Sequence, residues 1–165
     1  LLNSCEILTR LKAQVSEFVT GKFGEIAMDS IKIRDHMDRQ PVLLSANMSL
    51  ATAVEKLLDN NKMGAAVVDD SGNLVGFLSQ QDCLAVMLKS SYHCDLTSVV
   101  KDCMRTEVLY VGPDESILQL AEQMLGAKPK TYPVVDNGKV IGTINRTNVL
   151  KAMNVYMQQC YLAPA

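Results

Sequence analysis

Apolar and polar residues alternate along this chain in two patterns, one typical of amphipathic helices and the other typical of buried strands. Helical spacing occurs in two stretches: Leu50, Val54, Leu57 and Leu58, and then Ile117, Leu120, Met124 and Leu125. Short apolar runs surround each stretch, at residues 42–44, 65–69 and 74–78 and again at residues 108–111, 132–136 and 140–144. Further helices are predicted over residues 80–89 and 146–160. The pattern thus predicts strand, helix, strand, strand, helix, twice over.

Turn and capping residues mark where these elements begin and end. The sequences Asp-Ser-Gly-Asn at residues 70–73 and Asn-Gly at residues 137–138 each contain a glycine, which adopts a positive φ without steric cost. Each therefore predicts a β-hairpin. Asn47 and Asp114 precede the first helix of each set and are the predicted N-caps.

The two sets are copies of one unit. At an offset of 67 positions, residues 33–70 fall on residues 100–137, and after one residue is dropped in the loop, residues 72–87 fall on residues 138–153. Twelve positions then match in residue type, among them Asp35 with Asp102, Met37 with Met104 and Gly76 with Gly142. Each copy has only about 55 residues, a size that is marginal in isolation. The copies are therefore expected to pack on each other as one cooperative body.

The first thirty residues have no second copy. Apolar residues at helical spacing predict a helix over about residues 4–20, and Gly21 and Gly24 end it. We accordingly divide the chain into an N-terminal helix and linker at 1–30, a first repeat at 31–93, and a second repeat with a C-terminal helix extension at 94–165.

Composition excludes several classes of function. The 165 residues carry a net charge of −2, which does not resemble the basic footprint of a nucleic-acid-binding protein. Five dispersed cysteines without a CxxC pair argue against a disulfide framework or a zinc site and favour a reducing, cytoplasmic setting. No apolar run approaches the ~20 residues that span a bilayer, so we expect no membrane insertion. No catalytic triad, phosphate-binding glycine loop or metal-ligand spacing is found, and we expect neither an enzyme nor a metal site.

The duplicated order and the run Gly76-Phe77-Leu78-Ser79-Gln80-Gln81-Asp82 resemble a tandem CBS-domain pair, the Bateman module. The sequence Tyr132-Pro133-Val134-Val135-Asp136 is similar to the Pro-containing middle strand of that family. The resemblance covers about residues 31–153. It implies a mixed α+β fold in which two βαββα repeats pack with pseudo-twofold symmetry. It also implies an adenosine-containing ligand, such as AMP, ADP, ATP or a related adenosyl compound, in a cleft between the repeats, and pairing of modules into a homodimer.

Two interpretations of Ser79 and Asp82 remain open. At a strand-to-helix junction, Ser79 is an N-cap and Asp82 favours the positive end of the helix dipole. The same geometry also suits a ligand, because free amides attract phosphate and a carboxylate accepts from both hydroxyls of a ribose. The resemblance implies the nucleotide role for this copy.

The second copy departs from that motif. Asn145 stands where Ser79 does, and Asn148 where Asp82 does. Asn145 still suits a helix cap, but a neutral Asn148 lacks the charge-assisted bonds that a carboxylate makes to a diol. Arg146 is either a compensating phosphate ligand or a solvated first-turn residue.

Four further residues are candidates for the base pocket. Gly64 and Ala65 begin a strand, where small side chains permit close approach to a flat ring, although they equally suit a strand packed under a helix. Tyr132 is either a stacking partner for a base or a rim residue beside Pro133. The first copy has Ala66 in place of this proline.

The sequence thus predicts a regulatory module that senses an adenine nucleotide and acts on an unidentified protein. The alternative is a ligand-free dimerisation or scaffold module, belonging to a larger transporter or enzyme.

Overall fold

Each half of the duplicated sequence folds as a small sheet with helices. The computed structural model describes residues 31–92 and 97–162, with side chains described as far as residue 159. The helix predicted over residues 4–20 lies outside these described residues.

The predicted order of elements is confirmed in the first repeat. It comprises β1 (Leu43–Ser45), α1 (Leu50–Asp59), β2 (Gly64–Val68), β3 (Leu74–Ser79) and α2 (Gln80–Ser91). The second repeat comprises α3 (Ile117–Gln123), β4 (Thr131–Asp136), β5 (Lys139–Asn145) and α4 (Arg146–Leu162). Its predicted first strand, residues 108–111, is reduced to a single parallel bridge between Val111 and Val134.

The sheets follow from the turns that join their strands. β1 runs parallel to β2, and β2 pairs antiparallel with β3 in the first repeat, as β4 does with β5 in the second. Gly72 has a φ of +82°, while Asn137 and Gly138 have φ values of +49° and +82°. In the second turn, two successive positive φ values match the twist of the flanking strands. The antiparallel pairing of β2 with β3 and of β4 with β5 confirms both predicted hairpins.

The predicted N-caps were wrong by two residues. Ser49 precedes α1 and accepts from the Thr52 amide, and Ser116 precedes α3 and accepts from the Leu118 amide. Asp114 instead pairs with Arg34 at 2.6 Å, because the two repeats meet at this point. The Asn47 side chain likewise faces the other repeat, where it accepts from Lys101 at 3.4 Å.

Each repeat sends its leading segment into the core of the other. We call residues 31–38 and residues 97–105 the leading segments. Ile33 is fully buried in the cluster of the second repeat, and Val100 is fully buried in the cluster of the first. The Ile117 amide donates to the Ile31 carbonyl at 2.9 Å. The equivalent bond in the first repeat runs from the Leu50 amide to Ser98, also at 2.9 Å. The exchange therefore joins both repeats into one body.

The ends of the leading segments lie against the last strand of the opposite repeat. Asp38 exchanges backbone hydrogen bonds with Thr143 at 2.8 and 3.0 Å, and Arg105 exchanges them with Phe77 at 2.9 Å each. A Cβ added to Gly142 would lie 2.7 Å from the Asp38 carbonyl oxygen, which explains why glycine stands at this position. The seam between repeats is thus built from backbone pairing at close approach.

None of the helices in residues 31–92 and 97–162 is long and apolar enough to cross a membrane.

Candidate functional site

A cavity of about 670 Å³ opens where the two repeats meet. One wall is the end of β3 and the start of α2, with Ser79, and the start of β2, with Gly64. The other walls are Arg105 with residues 107–109, at and just after the end of the second leading segment, and residues 127–131, which lead into β4. Both repeats therefore contribute to this seam cavity, whose volume lies in the range of small-molecule sites.

Ser79 and Asp82 form a reciprocal cap at the start of α2. The Ser79 hydroxyl accepts from the Asp82 amide at 3.2 Å, and the Asp82 Oδ2 accepts from the Ser79 amide at 3.1 Å and from its hydroxyl at 2.5 Å. The Gln80 amide donates to the Met63 carbonyl. In the part of the chain that the structure describes, the Gln81 amide has no hydrogen-bond partner. One helix-start amide is therefore left for an acceptor in the seam cavity, which Gln81 lines.

The second carboxylate oxygen of Asp82 is bound across the seam. Arg105 donates to Oδ1 through Nε at 3.2 Å and Nη2 at 3.0 Å. The Asp82 side chain is 15% exposed, whereas that of Arg105 is 62% exposed. Burial alone would raise the pKa of the Asp82 carboxyl, but the hydrogen bonds from Ser79 and Arg105 outweigh it and hold that pKa below its usual value. Asp82 is therefore an anchored carboxylate.

Positive charge predominates on the cavity walls. Arg105, Lys128 and Lys130 line the cavity together with one acidic residue, Glu107. The carboxylate of Asp82 faces Arg105 and offsets part of this charge. Cations that converge on one concavity concentrate anions there. The seam cavity is thus suited to a ligand that carries phosphate.

Gly64 forms part of the wall of the seam cavity. A Cβ at this position would lie 2.6 Å from Phe77 Cε1 and 3.0 Å from the Leu78 carbonyl oxygen, so a larger residue would displace the aromatic ring. Ala65, the next residue, is instead buried in the core of the first repeat and does not line the cavity. Alternation along β2 explains the difference, because successive side chains point to opposite faces.

The equivalent junction in the second repeat is a closed cap. The Asn145 amide donates to Asn148 Oδ1 at 3.1 Å, and the Asn148 amide donates to Asn145 Oδ1 at 2.9 Å. The predicted cap by Asn145 is confirmed. Arg146 donates to the Met124 carbonyl at 3.0 Å and closes the end of α3. The structure thus places its guanidinium on carbonyl oxygens that end a helix.

The second copy also lacks a counterpart of the pair between Arg105 and Asp82. Asp38 occupies the position that corresponds to Arg105, and it pairs with Lys62 at 2.7 Å. The hydrogen bond from Lys62 is the main reason that the pKa of Asp38 lies below its usual value. Because Asn148 is neutral, the start of α4 has no carboxylate held as Asp82 is held at the start of α2.

Tyr132 and Pro133 lie in the interior. Tyr132 is 1% exposed and packs in the core of the second repeat, and burial raises the pKa of its hydroxyl. The Pro133 carbonyl accepts from the Val111 amide, which secures the parallel bridge. Neither residue lines the seam cavity. A stacking role for Tyr132 would require the ring to leave the core.

Sequence interpretation missed the cavity's cations. Arg105 stands where the first copy has Asp38, and Lys128 and Lys130 stand where it has Asn61 and Met63. A change of charge between matched positions of the two repeats can indicate a functional residue, because structural equivalence alone does not require such a change.

Among residues 31–92 and 97–162, no group of three or more His, Cys, Asp or Glu side chains is placed to hold a metal ion.

The chain matches the family model of the CBS domain twice, over residues 33–89 and 100–155. It is similar to the uncharacterized protein MJ1225 of Methanocaldococcus jannaschii, with 26% identity over 121 residues. That alignment covers 73% of this chain and 42% of the relative, so the chain spans less than half of that protein's length.

Solved structures agree with this match. The AcuB protein of Vibrio cholerae is similar with a TM-score of 0.70 and 28% identity, covering 81% of this chain and 98% of that one. CBSX2 of Arabidopsis thaliana, solved in complex with AMP, is similar with a TM-score of 0.68 and 29% identity, covering 78% of this chain and 99% of that one. The two family matches and the two repeats packed around one seam lead to the same conclusion: the chain belongs to the CBS domain family as a tandem pair.

Proposed function

We propose that this chain is a regulatory binding module that takes an adenine nucleotide in the seam cavity. The observation that carries the proposal is one cavity, lined by both repeats, that has an anchored carboxylate at a helix start beside its wall and cations around it. The complex of the similar CBSX2 with AMP supports this ligand class.

Each part of a nucleotide has a matching feature in the cavity or, for Asp82, directly beside its wall. The apolar wall near Gly64 and Leu109 suits the flat base, since the glycine leaves room for close approach. Asp82 is the acceptor for the ribose hydroxyls. Arg105, Lys128 and the free Gln81 amide are donors for phosphate.

Regulation follows from the position of the cavity. A ligand shifts an equilibrium only through different affinity for two states, and a ligand held from both repeats senses any change in their packing. The response passes to an unidentified protein or to further domains. Cys83 and Cys103 are free thiols, which supports placing the module in a reducing compartment such as the cytoplasm.

A thermal-shift screen with AMP, ADP, ATP, adenosine and GMP tests the proposal. At a ligand concentration one hundredfold above its Kd, binding stabilises the native state by about 2.7 kcal/mol. At roughly 2 to 4 °C per kcal/mol for a chain of this size, the melting temperature should rise by about 5 to 11 °C with at least one adenine nucleotide. No shift with any of the five compounds would contradict the proposal.

One observation favours the alternative of a ligand-free scaffold. The capping box of Ser79 and Asp82 is complete without any ligand, and Arg105 completes the hydrogen bonding of the carboxylate. On that alternative, the three side chains serve only to join the repeats. The screen separates the two functions, because a scaffold leaves the melting temperature unchanged.

We further propose a homodimer through the helical faces. Leu84 on α2 is 67% exposed, and Leu150, its counterpart on α4, is 70% exposed. Leu58 and its counterpart Leu125 are exposed in the same way. Because the repeats are related by a pseudo-twofold axis, these side chains form a surface that a second copy can meet in a self-complementary way.

Light scattering after gel filtration tests the dimer. The wild type should elute at twice the mass of one chain, and Leu84→Glu combined with Leu150→Glu should elute as a monomer, because buried unpaired carboxylates oppose association. Thr106→Glu, at an exposed site outside the helices, is the control and should remain dimeric. A monomeric wild type would refute the dimer.

A further inference from the structure

We propose that Arg105 determines which nucleosides the seam cavity accepts, by occupying Asp82 until a phosphate group draws the guanidinium away. This inference rests on the proposed function and goes beyond it, because it predicts preference for phosphorylated over unphosphorylated adenosine from one side chain.

The hydrogen bonds of Asp82 leave little room for a ribose. Ser79 occupies Oδ2 with its amide and its hydroxyl, and Arg105 occupies Oδ1 with two donors. A ribose diol needs carboxylate oxygen as its acceptor. The bonds of Ser79 are part of the helix cap, so the more readily released oxygen is Oδ1.

The backbone of Arg105 is fixed, whereas its side chain can move. Its backbone amide and carbonyl are both bonded to Phe77 at 2.9 Å, so the residue stays in place beside the cavity. Its side chain is 62% exposed, and water can therefore hydrate the guanidinium when it leaves Asp82. The planar fork that now binds one carboxylate oxygen matches phosphate oxygens equally well.

The exchange favours a phosphorylated ligand. When the ribose hydroxyls of a nucleotide donate to Oδ1, the displaced guanidinium of Arg105 can bind the phosphate of the same ligand. Lys128 and Lys130, on another wall of the cavity, then neutralise the remaining negative charge. Unphosphorylated adenosine displaces the guanidinium but has no phosphate to which the guanidinium can bind. We therefore expect AMP to bind more tightly than adenosine by about 10- to 100-fold, the scale of one hydrogen bond to a charged group.

Removing the guanidinium should affect the two ligands in opposite directions. Arg105→Met keeps an unbranched but shorter side chain without the guanidinium and frees Oδ1, so adenosine should bind more tightly than to the wild type. AMP should bind more weakly because its phosphate loses a partner. The ratio of the affinity for AMP to the affinity for adenosine should fall by about tenfold or more. If Arg105 had a purely structural role, its loss would instead weaken the binding of both ligands alike.

Isothermal titration with AMP and with adenosine, at one fixed ionic strength, measures these affinities. The variants are Arg105→Met, Arg105→Lys, and Arg105→Met combined with Asp82→Asn. Arg105→Lys keeps the charge without the fork and should give an intermediate ratio. In the double variant, the gain in affinity for adenosine should disappear, because the gain depends on the freed carboxylate.

Lys101→Met is the control. Lys101 is an exposed cation of the same leading segment and does not line the cavity, so its substitution should keep the wild-type ratio.

The outcomes separate this inference from the proposed function. Binding of AMP with the same ratio in the wild type and Arg105→Met would overturn the inference and leave the nucleotide site standing. If neither ligand binds to any variant, the proposed function is refuted and the inference with it. A lower ratio of AMP to adenosine affinity in Arg105→Met, with tighter binding of adenosine, supports both the inference and the proposed function.

Discussion

Replacing Ile33 by alanine should lower the free energy of unfolding by about 2 to 5 kcal/mol, the usual cost of a large-to-small change in a core. Ile33 is fully buried among Val111, Ile117 and other residues of the second repeat, although its sequence belongs to the first. The lost methyl groups leave a void at the point where the repeats are joined. Chemical denaturation followed by circular dichroism measures the change.

Asp35→Ala is the matched control for this change. Asp35 lies in the same short turn and is exposed, so its substitution should alter stability by no more than about 0.5 kcal/mol. The methyl resonances of Val111 and Ile117 should shift in Ile33→Ala, while those of Leu44 and Leu50 stay largely in place. Equal stability of the two variants would mean that the leading segments are not exchanged as the structure places them.

Asp82→Ala should abolish measurable binding of the adenine nucleotide. The substitution removes the proposed acceptor for the ribose, and each hydrogen bond to a charged group contributes about 1.5 to 3 kcal/mol. Asp82→Ala also disrupts the cap of α2 and the pair with Arg105, which lowers stability as well. Affinity must therefore be measured by titration, below the melting temperature of the variant.

Asn148→Ala provides the matched comparison, because Asn148 is the counterpart of Asp82 in the second repeat. It removes the same kind of reciprocal cap without removing a carboxylate. Binding should persist with one ligand per chain in Asn148→Ala. Nucleotide binding that survives in Asp82→Ala, or is lost in both variants, would contradict the assignment of the site to the first repeat.

The order of helices and strands was predictable because each repeat carries its own apolar pattern and turn residues. The exchange of the leading segments between the repeats was not predictable from these local patterns. Ile33 and Val100 occupy matched positions of the two copies, and each apolar side chain suits either core. Which core it enters depends on long-range backbone pairing, such as that of Ile31 with Ile117, which no local pattern encodes.

Local motifs also predicted part of the candidate site. Ser79 and Asp82 are three residues apart at a strand-to-helix junction, so their reciprocal cap follows from spacing alone. The N-cap of α1 was misplaced at Asn47 because several capping residues stand close together, and only backbone geometry shows that Ser49 precedes the first turn.

Arg105 was missed for a different reason. It reaches Asp82 across 23 residues of sequence, through the pairing of its backbone with β3. Tyr132 was considered for base stacking because its aromatic side chain stands beside a proline, but the alternation along β4 directs that side chain into the core.

We propose that an adenine nucleotide binds between the repeats, beside the start of α2. A crystal structure of the chain grown with AMP tests it most directly. We expect AMP in the seam cavity, with its base beside Gly64, its ribose hydroxyls on Asp82 and Arg105 turned from Asp82 to the phosphate. AMP bound elsewhere on the chain, with the bonds between Arg105 and Asp82 unchanged, would contradict the proposed site.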